Sequence, residues 1–273
     1  MGERFIPKNV FEKKEKSDFE FPFRTIQLLG PREFQQDYFL SGKLDKNGSN
    51  YQVNIVADGH GNDGELFAER AANKLMHELQ NVEAEEIGEK QLKFVFEKAD
   101  EDSKEIIGDG GTTMSVVLLS GKKVFGGYVG DSEVKLLGKQ GIIHSLTPPH
   151  NLSSSDEELI RVASTGASIS GNRIWVGNKG LNMTRAIGDY DFRPHLSAEP
   201  HIFGFDINPA DKYLIIASDG LWNVSSENGK EEELGNILSG SQSIDDAKKR
   251  LEKFLNKVPH VDNITAQIIE LNK

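Results

Sequence analysis

Three apolar runs in this chain end in an acid, and a fourth acid stands just ahead of an apolar run. The segments are Val56-Ala57-Asp58-Gly59-His60-Gly61-Asn62-Asp63-Gly64, Gly127-Tyr128-Val129-Gly130-Asp131-Ser132, Leu214–Trp222 around Asp219, and Val261-Asp262-Asn263-Ile264-Thr265. A single Asp-Gly after a strand is ordinarily a turn. Several such acids are another matter, because strand ends gather on one rim of a sheet and bring their side chains together. Carboxylates that meet there repel one another unless a cation lies between them. Oxygen-only ligands select hard ions, Mg²⁺ or Mn²⁺, over zinc or copper. The first segment also satisfies G-x-G-x-x-G through Gly59, Gly61 and Gly64. A dinucleotide does not fit it: Asp58 would repel the pyrophosphate, and the polar stretch Gln80–Glu86 stands where a strand ending in an acid is required. On this segment alone, a tight strand-to-helix turn with Asp58 as N-cap stays open.

These acids need strands to carry them. Tyr51–Ala57, Met114–Leu119, Lys123–Val129, Glu133–Leu137, Tyr213–Ala217 and Asn263–Leu271 are short, rich in Val, Ile, Leu and Tyr, and bounded by Gly, Asp and Asn. Asn47-Gly48 is a type I′ hairpin signal. Asp45–Asn50 resembles the start of a calcium loop, but its glycine is out of register for Asp45 and no Glu closes it. Helical periodicity predicts Glu65–Gln80, with Phe67, Ala71, Leu75 and Leu79 in one stripe beside Ala68, Ala72 and Met76. It also predicts Glu89–Ile107, through Leu92, Val95, Phe96, Ala99 and Ile106, and Ile244–Val258 with Ser243 as N-cap. Many strands, an inserted helix pair and a terminal helix–strand do not make regular βαβ alternation. The pattern therefore favours antiparallel sheets flanked by helices.

Composition excludes other chemistries. Among 273 residues there is no Cys, which removes disulfides, thiolate zinc sites, iron–sulfur clusters and any cysteine nucleophile. The formal charge of −11 argues against wrapping nucleic acid. No run of 18 apolar residues and no secretory signal is present, so a cytoplasmic or nuclear location without membrane contact is expected. Met1-Gly2 opens like a myristoylation site, but Ile6 stands where Ser or Thr is wanted. Residues 1–23, with the mixed-charge stretch Glu12–Glu20, are expected to form an N-terminal arm, and 24–273 a single catalytic domain.

In chain order, the segments Gly30-Pro31-Arg32…Asp37, Asp58-Gly59-His60-Gly61, Gly111-Thr112-Thr113, Val129-Gly130-Asp131-Ser132, Leu146-Thr147…His150, Thr184-Arg185-Ala186-Ile187-Gly188-Asp189-Tyr190, Ala217–Trp222 and Asp262-Asn263-Ile264-Thr265 resemble the metal-dependent Ser/Thr protein phosphatases, the PPM or type 2C family. Each is weak alone; ordered over residues 24–271 they are specific. The resemblance implies an α+β fold, a β-sandwich of two antiparallel sheets flanked by α-helices. It further implies hydrolysis of phosphoserine and phosphothreonine in protein substrates, by direct attack of a water bridging two Mg²⁺ or Mn²⁺ ions. Asp58 would bridge both metals, Gly59 would offer its carbonyl, Asp219 and Asp262 would hold one ion, and Asp37 would grip metal-bound water. Arg32 would bind the phosphate and His60 would act as general acid.

Departures from the family pattern are Gln36 before Asp37, Glu133 after Gly-Asp-Ser, Pro149 before His150, and Asn223 where an Asp is frequent. Asp131 and Asp219 would form a third metal site, and a neutral Asn223 predicts that it is loose or absent. The same departures motivate a rival, a pseudophosphatase that binds partners; a metal-dependent nuclease is disfavoured for lack of a basic groove. His144, His150, His195 and His201 lack ligand spacing and read as structural or exposed. Arg185 reads as structural, and Thr113 as either a contact to metal waters or a strand cap. Leu159–Met183 corresponds to the family's flap, where Gly166, Gly171, Gly177 and Gly180 suggest mobility and Ile174 and Trp175 are either substrate contacts or core. A monomer is expected.

Overall fold

The computed structural model describes residues 20–83, 86–227 and 229–272. Most of the expected arm, with Met1-Gly2 and Ile6, lies outside the described residues. Of its last residues, Phe21 and Phe23 are buried in the core. In chain order the first half contains β1 (Phe23–Leu28), β2 (Asp37–Lys46), β3 (Ser49–Gly61), α1 (Gly64–Asn81), α2 (Glu89–Ser103), β4 (Gly110–Thr112), β5 (Met114–Ser120) and β6 (Lys123–Val129). It continues through β7 (Glu133–Gly138), β8 (Ile143–Ser145), α3 (Asp156–Ser164), β9 (Ser168–Ser170), β10 (Arg173–Val176), β11 (Lys179–Leu181) and β12 (Ile187–Gly188). The last part is β13 (His201–Asp206), β14 (Asp211–Ala217), α4 (Asp219–Glu227), α5 (Glu231–Ser239), α6 (Ile244–Leu255) and β15 (Ile264–Glu270).

One sheet runs β1-β15-β14-β7-β8; the other runs β12-β4-β3-β5-β6-β13, with β2 also paired to β3. All of these pairings are antiparallel. Alternation along the strands explains why they read as nearly continuous apolar runs. On β14, Leu214 and Ile216 enter the layer between the sheets, while Tyr213, Ile215 and Ala217 meet α4–α6. On β5, Val117 and Leu119 face the interior, and Met114, Val116 and Leu118 meet α1 and α2. Each strand is buried on both faces, so both phases of its period-2 pattern are apolar. Each fully buried Leu, Ile or Val contributes about 1.5–3 kcal/mol relative to exposure. The result is the sandwich of two antiparallel sheets between helices that the sequence motifs imply.

The helical stripes are buried as expected except for Ile106, which is half-buried beyond the end of α2, and Ser243 Oγ caps α6 by accepting from Asp246 N–H. The Asn47-Gly48 turn joins β2 to β3 with φ values of 52° and 86°. Other boundaries differ. α2 stops at Ser103 rather than Ile107: the next backbone bonds, Lys104 N–H to Glu101 O (3.3 Å), Glu105 N–H to Asp102 O (3.2 Å) and Ile106 N–H to Ser103 O (3.1 Å), close tighter three-residue turns. Ile107 is fully exposed. α6 stops at Leu255 rather than Val258, although Val258 remains buried. Asp58 lies inside β3, with α1 starting only at Gly64, so it is not a helix cap.

The flap is a small lobe with its own core. Sheet β11-β10-β9 and α3 close over Leu152, Val162, Ile174, Leu181, Met183, Ala186, Phe192 and Leu196. Ile174 is therefore core, whereas Trp175 is exposed, its indole N–H donating to Ser170 O (3.0 Å).

Candidate active site

Asp37 and Asp58 stand directly opposite each other on β2 and β3, with their side chains on one face. Like charges in that register destabilise a sheet, so the pairing is an electrostatic cost located at the rim. From the other sheet, β14 ends at Ala217 and hands the chain to Asp219 at the start of α4, while Asp262 sits two residues before β15. The approach is very close: a Cβ on Gly220 would lie 2.0 Å from Asn263 O. Gly59 is confined likewise, a Cβ there meeting Gly64 O at 2.1 Å and Gln36 O at 2.8 Å. Only glycine lets the β3 end, the α1 start and the loop before β2 share this space.

Hydroxyls stitch the two sheets together at the rim. Ser218 Oγ donates to Asp37 Oδ2 (2.9 Å) and accepts from Thr265 N–H (3.0 Å). Gln27 Nε2 donates to both Asp37 O (3.1 Å) and Thr265 Oγ1 (3.2 Å). Thr113 Oγ1 accepts from Asp58 N–H (3.1 Å) and bonds Ser132 Oγ (2.6 Å), tying β3 to the Asp131 turn. Thr113 thus fixes the backbone of Asp58, a role that neither sequence reading of it contained.

The carboxylates disturb one another. Burial, then repulsion from Asp219, pushes Asp37 up to about 6 against the hydrogen bonds from Ser218 and Thr265. Asp58 is raised well above the ordinary range by burial and by Asp37, Asp219, Asp131 and Asp262. Burial and Asp219 push Asp131 to about 7, and burial and Asp262 raise Asp219. Asp37 Oδ1 is buried without a hydrogen-bond partner. No group of three or more His, Asp or Glu among the described residues is already gathered closely enough to hold a metal ion. The donor set nevertheless fits hard divalent cations: it is all oxygen, it has a free buried lone pair, and its mutual repulsion is what a cation would relieve.

Around the acids stand the other expected residues. Arg32 is exposed, its Nη2 on Asp262 Oδ2 (2.7 Å) and its Nε–H donating to Val261 O (3.1 Å). His60 Nε2 lies 2.6 Å from Asp189 Oδ2, while its Nδ1 is buried without a partner. Burial opposes the charge on His60, but the Asp189 carboxylate outweighs it and the imidazole is held above its ordinary value. Asp189 carried no role in the sequence reading. The signal in the sequence was slight, an acid after Ile187-Gly188; only the structure shows that it follows a short strand and takes the left-handed conformation (φ 50°) uncommon outside glycine. Asn223 Nδ2 donates to Asp219 Oδ2 (2.9 Å), occupying one of that carboxylate's oxygens.

The remaining candidates fall elsewhere. Arg185 is buried and grips Glu158 Oε1 through Nε (2.9 Å) and Nη2 (2.5 Å), anchoring the flap. His150 stacks on Tyr128 and accepts from Gly130 N–H (3.1 Å). Glu133 is absorbed by Ser145 Oγ (2.8 Å) and lies 3.6 Å from Lys135. Gly166, Gly171 and Gly177 occupy left-handed turns, and Gly180 lies under the Trp175 ring.

Residues 27–229 match the sequence family described as Protein phosphatase 2C. The chain is 30% identical over 260 residues to "Probable protein phosphatase 2C 11" of Arabidopsis thaliana, covering 92% of this chain and 66% of the plant protein. It is 29% identical over 250 residues to "Probable protein phosphatase 2C 56" of Oryza sativa subsp. japonica, covering 89% and 68%. The chain thus spans about two thirds of the length of these plant relatives. Among solved structures, a C. elegans sex determining protein superposes with a TM-score of 0.74 at 24% identity, over 92% of this chain and 65% of that one. Serine-threonine phosphatase 2C from Toxoplasma gondii gives 0.69 at 18% identity, over 92% and 94%. Asp262 lies beyond the matched residues 27–229, and it is the fold that brings it to Arg32.

Proposed function

The chain belongs to the protein phosphatase 2C family, and from that premise we propose that it is a metal-dependent protein phosphatase acting on phosphoserine and phosphothreonine. The observation that carries the reading is the meeting of Asp37, Asp58, Asp219 and Asp262 at one rim, mutually repelling, with Arg32 beside them. Residues 24–273 would work as one catalytic domain. Asp37, Asp58, the Gly59 carbonyl, Asp219 and Asp262 would hold two Mg²⁺ or Mn²⁺ ions, which supply positive charge for the phosphate and acidify a water nucleophile. Asp131 would serve a third ion only weakly, because the Asn223 amide already donates to Asp219.

The rest of the chemistry falls to the chain's own groups. Arg32 is exposed, and a surface pair such as Arg32–Asp262 is worth only about 0–1 kcal/mol. Its guanidinium can therefore exchange that carboxylate for the two oxygens of a phosphate dianion at little cost. A serine or threonine alkoxide leaves poorly without a proton, and His60, oriented by the Asp189 carboxylate that favours its charged form, is positioned to give one. With no cysteine in the chain, the reaction does not pass through a thiol–phosphate intermediate.

Hydrolysis of p-nitrophenyl phosphate and of phosphopeptides in Mn²⁺ tests the proposal. Activity abolished by EDTA and by Asp58→Ala or Asp219→Ala is the expected result. No hydrolysis of any of several substrates with either metal would overturn it.

A further inference from the structure

Helix α6 carries Lys248, Lys249, Arg250 and Lys253, with Lys257 just past its end, in a chain of net charge −11. Two of these cations are engaged: Arg250 holds Asp246 (2.8 Å), and Lys248 faces Glu252 (4.0 Å). Lys249, Lys253 and Lys257 are exposed and make no ion pair among the described residues. Together with Ile237 and Phe254 they line a groove of about 460 Å³ between α5 and α6. The acids on the same groove are already used, Asp246 by Arg250 and Glu233 by Lys230 (3.4 Å). The groove therefore offers three ammonium groups that make no ion pair among the described residues, along an apolar floor.

We propose that this groove docks an acidic, extended segment of the phosphoprotein substrate, an inference that rests on the phosphatase reading. Successive lysines four residues apart on a helix rise by about 6 Å. An extended strand presents alternate side chains on one face about every 6.6–6.8 Å. Acids at every second position of the segment would thus meet Lys249 and Lys253 in turn, with Lys257 in the turn just past the helix end beyond them. The Lys257 end of the groove is close to the active site along the chain: four residues separate Lys257 from Asp262, a reach of at most about 18 Å. A phosphorylated residue at the rim and an acidic stretch on α6 can belong to one peptide. Nucleic acid and anionic membranes fit less well, since the acidic surface around so narrow a patch repels a long polyanion or a broad negative sheet.

The test compares two phosphopeptides with the same phosphoserine, one carrying Glu at alternate positions about six residues away and one with Gln there. With Mn²⁺, the acidic peptide should show a KM lower by about tenfold at unchanged kcat, the sum of three modest exposed ion pairs. The K249Q/K253Q/K257Q variant should erase that difference, as should high salt, while p-nitrophenyl phosphate hydrolysis stays the same. Equal KM values for the two peptides, or equal losses on both in the variant, would overturn the proposal. Fluorescence anisotropy of the unphosphorylated acidic peptide reads the groove without catalysis. Binding lost in the variant supports docking even if no peptide is hydrolysed, and so separates this proposal from the phosphatase reading. Single-stranded DNA or phosphatidylserine vesicles binding through these lysines while the acidic peptide does not would overturn it in favour of another ligand class.

Discussion

In the flap, Glu158 is buried with one carboxylate oxygen on Arg185 and the other on Arg161 (2.9 Å) and Thr184 (2.7 Å). At the sheet rim, Asp37, Asp58, Asp131 and Asp219 are packed mainly against one another and against hydroxyl and amide groups. Burial raises carboxyl groups in both places. In the flap two guanidiniums and a hydroxyl overcome it and hold Glu158 far below the ordinary range, whereas at the rim repulsion adds to it. The flap cluster closes its own charge balance and serves as a structural anchor between α3 and the Thr184-Arg185 segment. The rim cluster has only Arg32 and His60 beside it and keeps its carboxyls raised, the kind of perturbed cluster on which the proposed metal site rests.

The contrast can be broken first in the flap. Glu158→Gln leaves Arg185 buried beside a neutral amide and should cost about 3–5 kcal/mol of stability, read by urea unfolding, while metal affinity at the rim is retained. A loss below 1 kcal/mol would mean the anchor is dispensable.

The pH dependence should have opposite signs in the two regions. Rim carboxyls whose folded pKa is raised bind protons more tightly when folded. Their stabilisation is complete below the unfolded value near 4 and is lost as pH rises through about 6–7. Glu158, lowered in the fold, contributes above its unfolded value and is lost as pH falls below it. Thermal melts in EDTA should therefore peak near pH 5 and fall by about 1–3 kcal/mol by pH 8. Excess Mg²⁺ should abolish the fall, and Asp58→Asn should flatten it without metal. A metal-free profile rising from pH 5 to 8 would contradict the rim electrostatics.

The smallest change sharpens the rim itself. Asn223→Asp replaces a donor to Asp219 with a further acid and should tighten a third, weak Mn²⁺ site by roughly tenfold. Calorimetric titration checks it; three ions bound equally tightly by the unaltered protein would show that Asn223 imposes no such limit.

Much of the scaffold was legible because burial on both faces leaves unbroken apolar runs. Lys123–Val129 is a strand with those bounds, and the stripe from Phe67 to Leu79 is the buried face of α1. Strands β1 and β2 were missed because their burial is partial and mixed with polar positions such as Arg24, Gln27 and Ser41. Helices α3, α4 and α5 are nine residues each, too short for a periodic stripe to stand out.

By itself the sequence determined the chemistry on offer: acids at strand ends, glycines beside them, no thiols, and an order of motifs that implies a family. Those are properties of residue type and local spacing, which a chain carries before it folds. Tertiary structure alone decided the partnerships, because they join residues far apart in the chain whose side chains announce nothing about each other. Asp189 reaches His60 across 129 positions and Asp262 reaches Arg32 across 230. Glu158 is an ordinary helix residue until Arg185, 27 positions on, is folded against it. Whether a carboxylate is an anchor or a metal ligand is set by the charges packed around it, and packing exists only in three dimensions.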